Sequence, residues 1–132
     1  MTHVSRRKIP DKTKAVLLDA LTYGFSNLKP TQTRKILSTL LTNTETIMLA
    51  KRLGIAYLLK ENAQEVDIAE ILKTTRQTVA RIRLQLDAGS PESREFLIQK
   101  LAKWERVSMF KSLLKTVGLG LAKEFAKNLG RI

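Results

Sequence analysis

The 132-residue chain has no cysteine and only one histidine, His3. Without cysteine the protein can form neither disulfide bonds nor thiolate metal sites, which is compatible with a reducing cytoplasm. His3 lies in a basic stretch that we expect to be a flexible arm, so an acid-base or metal role for it is not expected. The scattered acidic residues have no Gly-rich phosphate-binding motif beside them. We therefore predict no enzymatic activity, no metal site and no cofactor.

Long hydrophobic runs are also missing. No stretch reaches the roughly 18 consecutive apolar residues of a membrane-spanning helix. The first residues, MTHVSRRKIP, lack the apolar run of a signal peptide. The expected location is therefore the cytoplasm.

Acidic residues are few, with 12 against 24 lysines and arginines, a formal net charge of +12 and a pI near 10.3. Such an excess of positive charge favours polyanionic partners, nucleic acid first and an anionic membrane surface second. The length corresponds to one domain and is compatible with an obligate dimer.

The stretch Glu65–Leu86 carries the clearest functional signal. Its apolar residues recur at helical spacing in two blocks, separated by the polar residues 73–75. Two short helices joined by a tight turn fit this pattern, with the small Ala69 where the helices cross. Thr75 is the expected N-cap of the second helix and would accept a hydrogen bond from the backbone N–H of Thr78. Because the turn contains no glycine, Lys73 or a neighbour must adopt the left-handed conformation. The pattern predicts a helix-turn-helix.

The second of these helices has the chemistry of a recognition helix. With Val79 and Ile82 turned inward, the 100° step per residue leaves a basic and polar face outside. Arginine can bind guanine bidentately, glutamine can bind adenine, and alanine can touch a thymine methyl. The predicted DNA-binding residues are Lys73, Thr75, Arg76, Gln77, Ala80, Arg81 and Arg83. The alternative left open by this pattern is an ordinary helix pair with a solvated basic face.

Three further helices are predicted before this stretch. Apolar spacing indicates a first helix over 12–28, ended by Pro30, and a short apolar second helix that starts just after it. A capping box at Thr42 and Glu45 starts a third helix that continues to about residue 60. We expect this third helix to bury Ile47 and Leu49 among others.

Gly54 in the third helix and the start of a C-terminal helix at Ser90 and Pro91 are the remaining signals. Gly54 is expected to let another backbone approach closely. Ser90 and Pro91 start a helix whose apolar spacing continues to Val117. The predicted domain limits are 1–9 for a flexible basic arm, 10–110 for a helical DNA-binding domain and 111–132 for a basic amphipathic extension, in which Leu121–Leu129 repeats the pattern.

The run from Leu40 to Leu101 is similar to the Trp repressor superfamily. The segments that carry the resemblance are LLTNTE, AKRLGIAYLL, TVAR at 78–81 and GSPESREFL. The resemblance implies an all-α, intertwined homodimer that presents two recognition helices to successive major grooves, about 34 Å apart.

The resemblance also bears on an effector. In the tryptophan-binding members, the corepressor lies between the third helix and the recognition helix, and Arg52 and Arg81 match the two arginines that hold it. Thr42 matches a pocket residue. Those members have glycine directly after the second arginine, where this chain has Ile82, and Ala56 replaces a pocket valine. We therefore predict no tryptophan response and no small-molecule effector, with Arg52 and Arg81 instead facing phosphate or pairing with acids.

The function predicted from these observations is a dimeric, sequence-specific DNA-binding transcriptional regulator whose partners are double-stranded DNA and a second copy of the chain. Two alternatives remain open. One is a DNA-binding component of a mobile element or of a replication apparatus. The other is a membrane-surface or interaction protein that uses the basic C-terminal helices.

Overall fold

A computed structural model describes residues 7–115, and all regular structure in this range is helical. Six helices are α1 (Asp11–Gly24), α2 (Pro30–Leu40), α3 (Asn43–Lys60), α4 (Glu65–Leu72), α5 (Arg76–Ala88) and α6 (Pro91–Ala102). A seventh, α7, begins at residue 107 and is helical to residue 115. The predicted all-α class is confirmed. His3, the first part of the predicted arm and the segment 121–129 lie outside the described residues.

The described chain separates into two compact units, with the boundary between Leu49 and Ala50 inside α3. The first unit holds α1, α2 and the start of α3. The second holds the rest of α3 and the helices that follow it. The domain limits proposed from the sequence, 1–9, 10–110 and 111–132, stay predictions.

Proline marks the start of α2. Pro30 is its first residue, where the missing N–H would have no helical partner in any case. The Gln32 side chain accepts a hydrogen bond from the backbone N–H of Lys29 at 3.0 Å and so satisfies a free donor at this end. α1 already ends at Gly24. The prediction that the first helix continues to residue 28 was therefore wrong, and Pro30 opens the second helix rather than closing the first.

Helix α1 carries an apolar face that the first unit does not cover. Val16, Leu17, Leu18 and Leu21 are each about half exposed, and neither α1 nor α2 has a buried residue. A contiguous apolar patch on a small protein usually marks a contact surface.

Helix α3 starts at the predicted capping box. The Thr42 hydroxyl accepts from the Glu45 N–H at 3.1 Å, and Glu45 Oε1 accepts from the Thr42 N–H at 2.9 Å. The backbone donor of Thr42 is the main reason why the pKa of Glu45 lies below its ordinary value. The predicted burial of Ile47 and Leu49 was wrong, since both are about half exposed. Helix α3 is buried only from Gly54 to residue 58, where the core of the second unit surrounds it.

Replacing Glu45 with glutamine is expected to remove a pH-dependent part of the stability. Because the folded-state pKa of Glu45 is lowered, its contribution is present above the pKa of the unfolded state and is lost as the pH falls through the folded-state value. In thermal melts from about pH 7 to about pH 3, the melting temperature of Glu45→Gln should therefore fall less than that of the wild type. Glu92, an exposed acid in the first turn of α6, gives the control Glu92→Gln. An equal dependence of melting temperature on pH in Glu45→Gln and in the wild type would contradict this expectation.

The core of the second unit joins α3, α4 and α5. Ile55, Leu58, Ile68 and Val79 are fully inaccessible to solvent, and Ile98 of α6 belongs to the same cluster. Burial of such a side chain contributes about 1.5–3 kcal/mol, so these residues are a main source of stability for the second unit. The helix-turn-helix is thus built on α3 and α6.

Helix α6 begins at the predicted signal. The Ser90 hydroxyl accepts from the Ser93 N–H at 3.2 Å, and Pro91 is the first helical residue. Arg94 then donates to Asp87 Oδ1 at 3.0 Å and ties α6 to the end of α5. The predicted start of this helix is confirmed.

The apolar spacing after Pro91 predicted one long helix, but α6 ends at Ala102 and residues 103–106 form a turn. After the turn, the Phe110 ring of α7 meets Tyr57 of α3 edge to face, with centroids 5.1 Å apart. Phe110 is thereby among the apolar side chains that pack against the core of the second unit.

Gly54 is buried beneath side chains of its own unit. A Cβ at this position would lie 3.1 Å from Leu72 Cδ1 and 3.4 Å from Phe110 Cζ. The missing side chain therefore lets the end of α4 and α7 pack closely on α3. Two side chains fill the space in which another backbone was expected.

Candidate nucleic-acid interface

A left-handed lysine forms the turn between α4 and α5. Lys73 has φ 52° and ψ 55°, as expected for this turn without glycine. The N–H of Thr74 donates to the carbonyl of Ala69 at 3.0 Å and closes the end of α4. The left-handed conformation costs a residue with a Cβ roughly 1–2 kcal/mol, so other contacts must hold the turn.

Two lysine side chains provide contacts at the turn. Lys73 Nζ donates to Glu70 Oε1 at 2.9 Å, and this hydrogen bond lowers the pKa of Glu70. Lys51 Nζ, on α3, donates to the backbone carbonyl of Lys73 at 3.1 Å. Lys51 could not be found from the sequence, because no pattern marks a lysine that lies 22 residues before its acceptor.

Thr75 is the N-cap of α5, as predicted. Its Oγ1 accepts from the backbone N–H of Thr78 at 3.1 Å, and the two hydroxyl oxygens lie 2.8 Å apart. The cap satisfies a free donor in the first turn of α5. It therefore helps to fix the backbone of the residues that lead this helix.

Buried side chains and one ion pair hold α5 against α4. Ile68 and Val79 are inaccessible, and Ile82 is 7% exposed. Arg83 Nη1 donates to Glu65 Oε1 at 2.9 Å, which ties the middle of α5 to the start of α4. Arg83 was predicted to bind DNA, whereas part of its guanidinium binds Glu65 inside the motif.

The opposite face of α5 is uncovered. Arg76, Gln77 and Arg81 are exposed, Ala80 is half-buried, and Leu84 is 69% exposed. Within residues 7–115, none of the three polar side chains has a hydrogen bond or an ion pair. Base edges and phosphates accept hydrogen bonds from arginine and glutamine side chains that are unpaired in this way.

Positive charge surrounds this face. Residues 73–86 contain four cations and no acid. Arg76 and Arg83 line one open cleft of about 520 Å³ beside the start of α4. Glu65 lines the same cleft and pairs with Arg83, so the guanidinium of Arg76, unpaired within residues 7–115, is the group there that would attract a polyanion to the leading end of α5.

Within residues 7–115 there is no group of three or more His, Asp or Glu side chains that could hold a metal ion. In the same range, no helix combines the length and apolar character that crossing a membrane requires.

A family model described as Trp repressor protein matches residues 15–101, more than half of the chain. The chain belongs to the Trp repressor family. Comparisons with curated proteins and with solved structures found no match. The resemblance seen in the sequence is confirmed, and the Trp repressor family match extends it toward the N-terminus. Membership places the chain in the general class of helix-turn-helix DNA-binding regulators.

The Trp repressor family match ends at Leu101, one residue before the end of α6. Helix α7 lies beyond it, yet Phe110 and Leu114 of α7 pack against the core of the second unit. The packed core of the second unit therefore includes a helix that lies outside the matched residues.

By the resemblance, five residues of this chain match positions at the effector site of tryptophan-binding Trp repressor family members. Ile82 and Ala56 are buried. Arg52 and Arg81 are exposed, and within residues 7–115 neither pairs with an acid. Thr42 caps α3. Pairing of the two arginines with acids is thus not observed in the described range, and their contact with phosphate stays a prediction.

Proposed function

We propose that the protein is a sequence-specific transcriptional regulator that binds DNA as a homodimer and without tryptophan as corepressor. The observation that carries this proposal is the exposed face of α5, where three polar side chains that have no partner among residues 7–115 lie opposite a buried face. The proposal includes the cytoplasmic location that is expected from the sequence.

The proposed base contacts come from the leading half of α5. Arg76 would bind guanine through two hydrogen bonds, and Gln77 would bind adenine in the same manner. Ala80 is small enough to let the helix lie deep in the major groove and touch a thymine methyl. These three positions would read the sequence.

Phosphate contacts would position the helix on the duplex. We assign them to Lys73 and Thr75 at the turn, to Arg81, and to the guanidinium nitrogens of Arg83 that Glu65 does not use. Such contacts make the logarithm of the binding constant fall with the logarithm of salt concentration, by roughly 0.9 per phosphate contact.

Exposed apolar side chains support the homodimer. Leu17 and Leu21 on α1, and Ile47 and Leu49 at the start of α3, lie about half in water. A second copy that covers these side chains would remove a patch that soluble monomers rarely leave open. Because a dimer presents two recognition helices, its DNA site should have two halves separated by about one helical turn.

Ile82 supports independence from tryptophan. Its side chain belongs to the core cluster that joins α5 to α3. The same position is glycine in tryptophan-binding relatives, where the space admits an indole. In this chain the Ile82 side chain therefore occupies that space, and α5 is held against α3 without a bound ligand. Titration calorimetry with L-tryptophan should show no binding heat, and micromolar binding would refute the assignment.

Selection of bound sites from random duplex DNA tests the proposed function. The wild type should select a two-fold symmetric site. Arg76→Ala should relax the base preference at one position of each half-site and lose about 1–3 kcal/mol of binding free energy per contact. Arg34→Ala, which removes an exposed arginine of α2, is the matched control and should keep the wild-type preference. An unchanged preference in Arg76→Ala would show that the assigned face does not read bases.

A further inference from the structure

We infer that Lys51 is a positioning residue for the recognition helix α5 and that its hydrogen bond to the turn contributes to the selectivity of DNA binding. This inference rests on the proposed function, because it concerns how α5 is presented to DNA. Its geometric basis is the bond from Lys51 Nζ to the Lys73 carbonyl oxygen, 3.1 Å long. Lys51 itself is half-buried on α3.

The leading end of α5 depends on the turn. Val79 is the first buried residue of α5 and stands fourth in the helix, after two of the three residues proposed to read bases. The core therefore fixes the middle of α5, while Arg76 and Gln77 are held through the backbone that precedes them. A rotation about φ or ψ of Lys73 would change the direction in which both side chains point.

The Lys73 carbonyl needs a donor from outside its own helix. Within residues 7–115, no backbone N–H donates to this oxygen. The ammonium group of Lys51 fills this role, and its positive charge lies at the C-terminal end of α4, where the helix dipole favours a cation. Removing the ammonium group would leave the carbonyl to water and the strained turn without its link to α3.

The second ammonium group at the turn cannot replace that of Lys51. Lys73 Nζ binds Glu70, three residues earlier on α4, and both side chains of this pair are largely exposed. The pair therefore connects the turn to α4 alone. In the described part of the chain, Lys51 is the one α3 side chain with a hydrogen bond to the turn.

The variants are chosen to separate this hydrogen bond from charge. Lys51→Met keeps a long side chain and removes the donor. Lys60→Met removes the same charge from the same helix, at an exposed residue without a hydrogen bond in the described range. Because selectivity is a ratio of two affinities for DNA, a general loss of attraction to phosphate largely cancels from it. Lys51→Arg restores a cationic donor.

Two measurements are made on each full-length variant at matched salt concentration. The first is selectivity, the ratio of affinities for the site selected by the wild type and for an unrelated duplex. The second is the hydrogen-exchange rate of the Thr74 amide in the free protein, since this amide closes α4 beside Lys73. Lys51→Met should lower selectivity about fivefold relative to Lys60→Met and speed Thr74 exchange by a similar factor, as expected for loss of one hydrogen bond. Lys51→Arg should recover most of both.

Equal selectivity of Lys51→Met and Lys60→Met would overturn the inference, whatever the exchange rates. A wild-type protein that selects no DNA site would overturn the proposed function and the inference together. The two failures are therefore distinguishable by the behaviour of the wild type.

Discussion

Replacing Ile82 with glycine is expected to lower the free energy of unfolding by about 4 kcal/mol, the largest single effect that we predict. Ile82 is 7% exposed and belongs to the core cluster. Loss of a large buried aliphatic side chain costs about 2–5 kcal/mol when a cavity is left. Glycine inside a helix adds roughly 1 kcal/mol. Because Ile82 also holds α5 in place, the variant should lose affinity for the selected DNA site.

Urea unfolding of Ile82→Gly, Ile82→Val and the wild type tests this expectation. The valine variant removes one methylene and should lose only about 0.5–1.5 kcal/mol. A glycine variant as stable as the valine variant would mean that Ile82 does not fill the core. DNA affinity of the wild type that is already high without L-tryptophan would agree with the proposed role of this side chain.

Replacing Phe110 with alanine is expected to lower the free energy of unfolding by about 2–3 kcal/mol. The value lies below the roughly 3–5 kcal/mol of buried aromatic truncations because Phe110 is only half-buried. Its ring covers Tyr57 and lies over Gly54. Burial also raises the pKa of Tyr57, so removal of the Phe110 ring should let that pKa return toward its ordinary value.

Denaturant unfolding and absorbance titration of tyrosine measure the two effects of Phe110→Ala. Met109→Ala is the matched control, because Met109 is on the same helix and is 57% exposed. A change at such a surface position should lie within about 0.5 kcal/mol. Should the two variants lose equal stability, α7 would not be part of the folded core. The expected difference would instead show that the core extends beyond the family match.

The helix-turn-helix and the helix starts could be predicted because their determinants are local. The Thr75 cap, the Ser90 cap and the capping box at Thr42 each join groups three residues apart. A reader of the sequence sees both partners of such a bond in one short window. The left-handed turn followed from the same local argument, since no glycine was present to adopt that conformation.

Contacts between distant residues could not be read in this way. Periodicity shows that a helix has an apolar face, but it does not show which element covers that face. Nothing in the spacing connects Lys51 to the turn or Phe110 to Tyr57. For the same reason Gly54 could be recognised as a site of close approach, while the groups that approach it could not be identified.

The exposed start of α3 also shows that periodicity does not identify what covers an apolar face. Ile47 and Leu49 were expected to be buried because they extend the apolar stripe of α3. They are about half exposed in the single chain. Ile47 and Leu49 do extend the apolar stripe. In the homodimer that we propose, a second copy of the chain covers them. Sequence pattern cannot distinguish burial within a chain from burial between chains.

Lys73 occupies a position where glycine would adopt the observed backbone without strain. Glycine would also widen the range of conformations open to the denatured chain, and folding would then forfeit more entropy. Lysine narrows that range, so part of its steric penalty in the native turn is offset in the denatured ensemble. The motif can therefore keep a cation at the turn for a smaller net loss of stability than the left-handed geometry alone indicates.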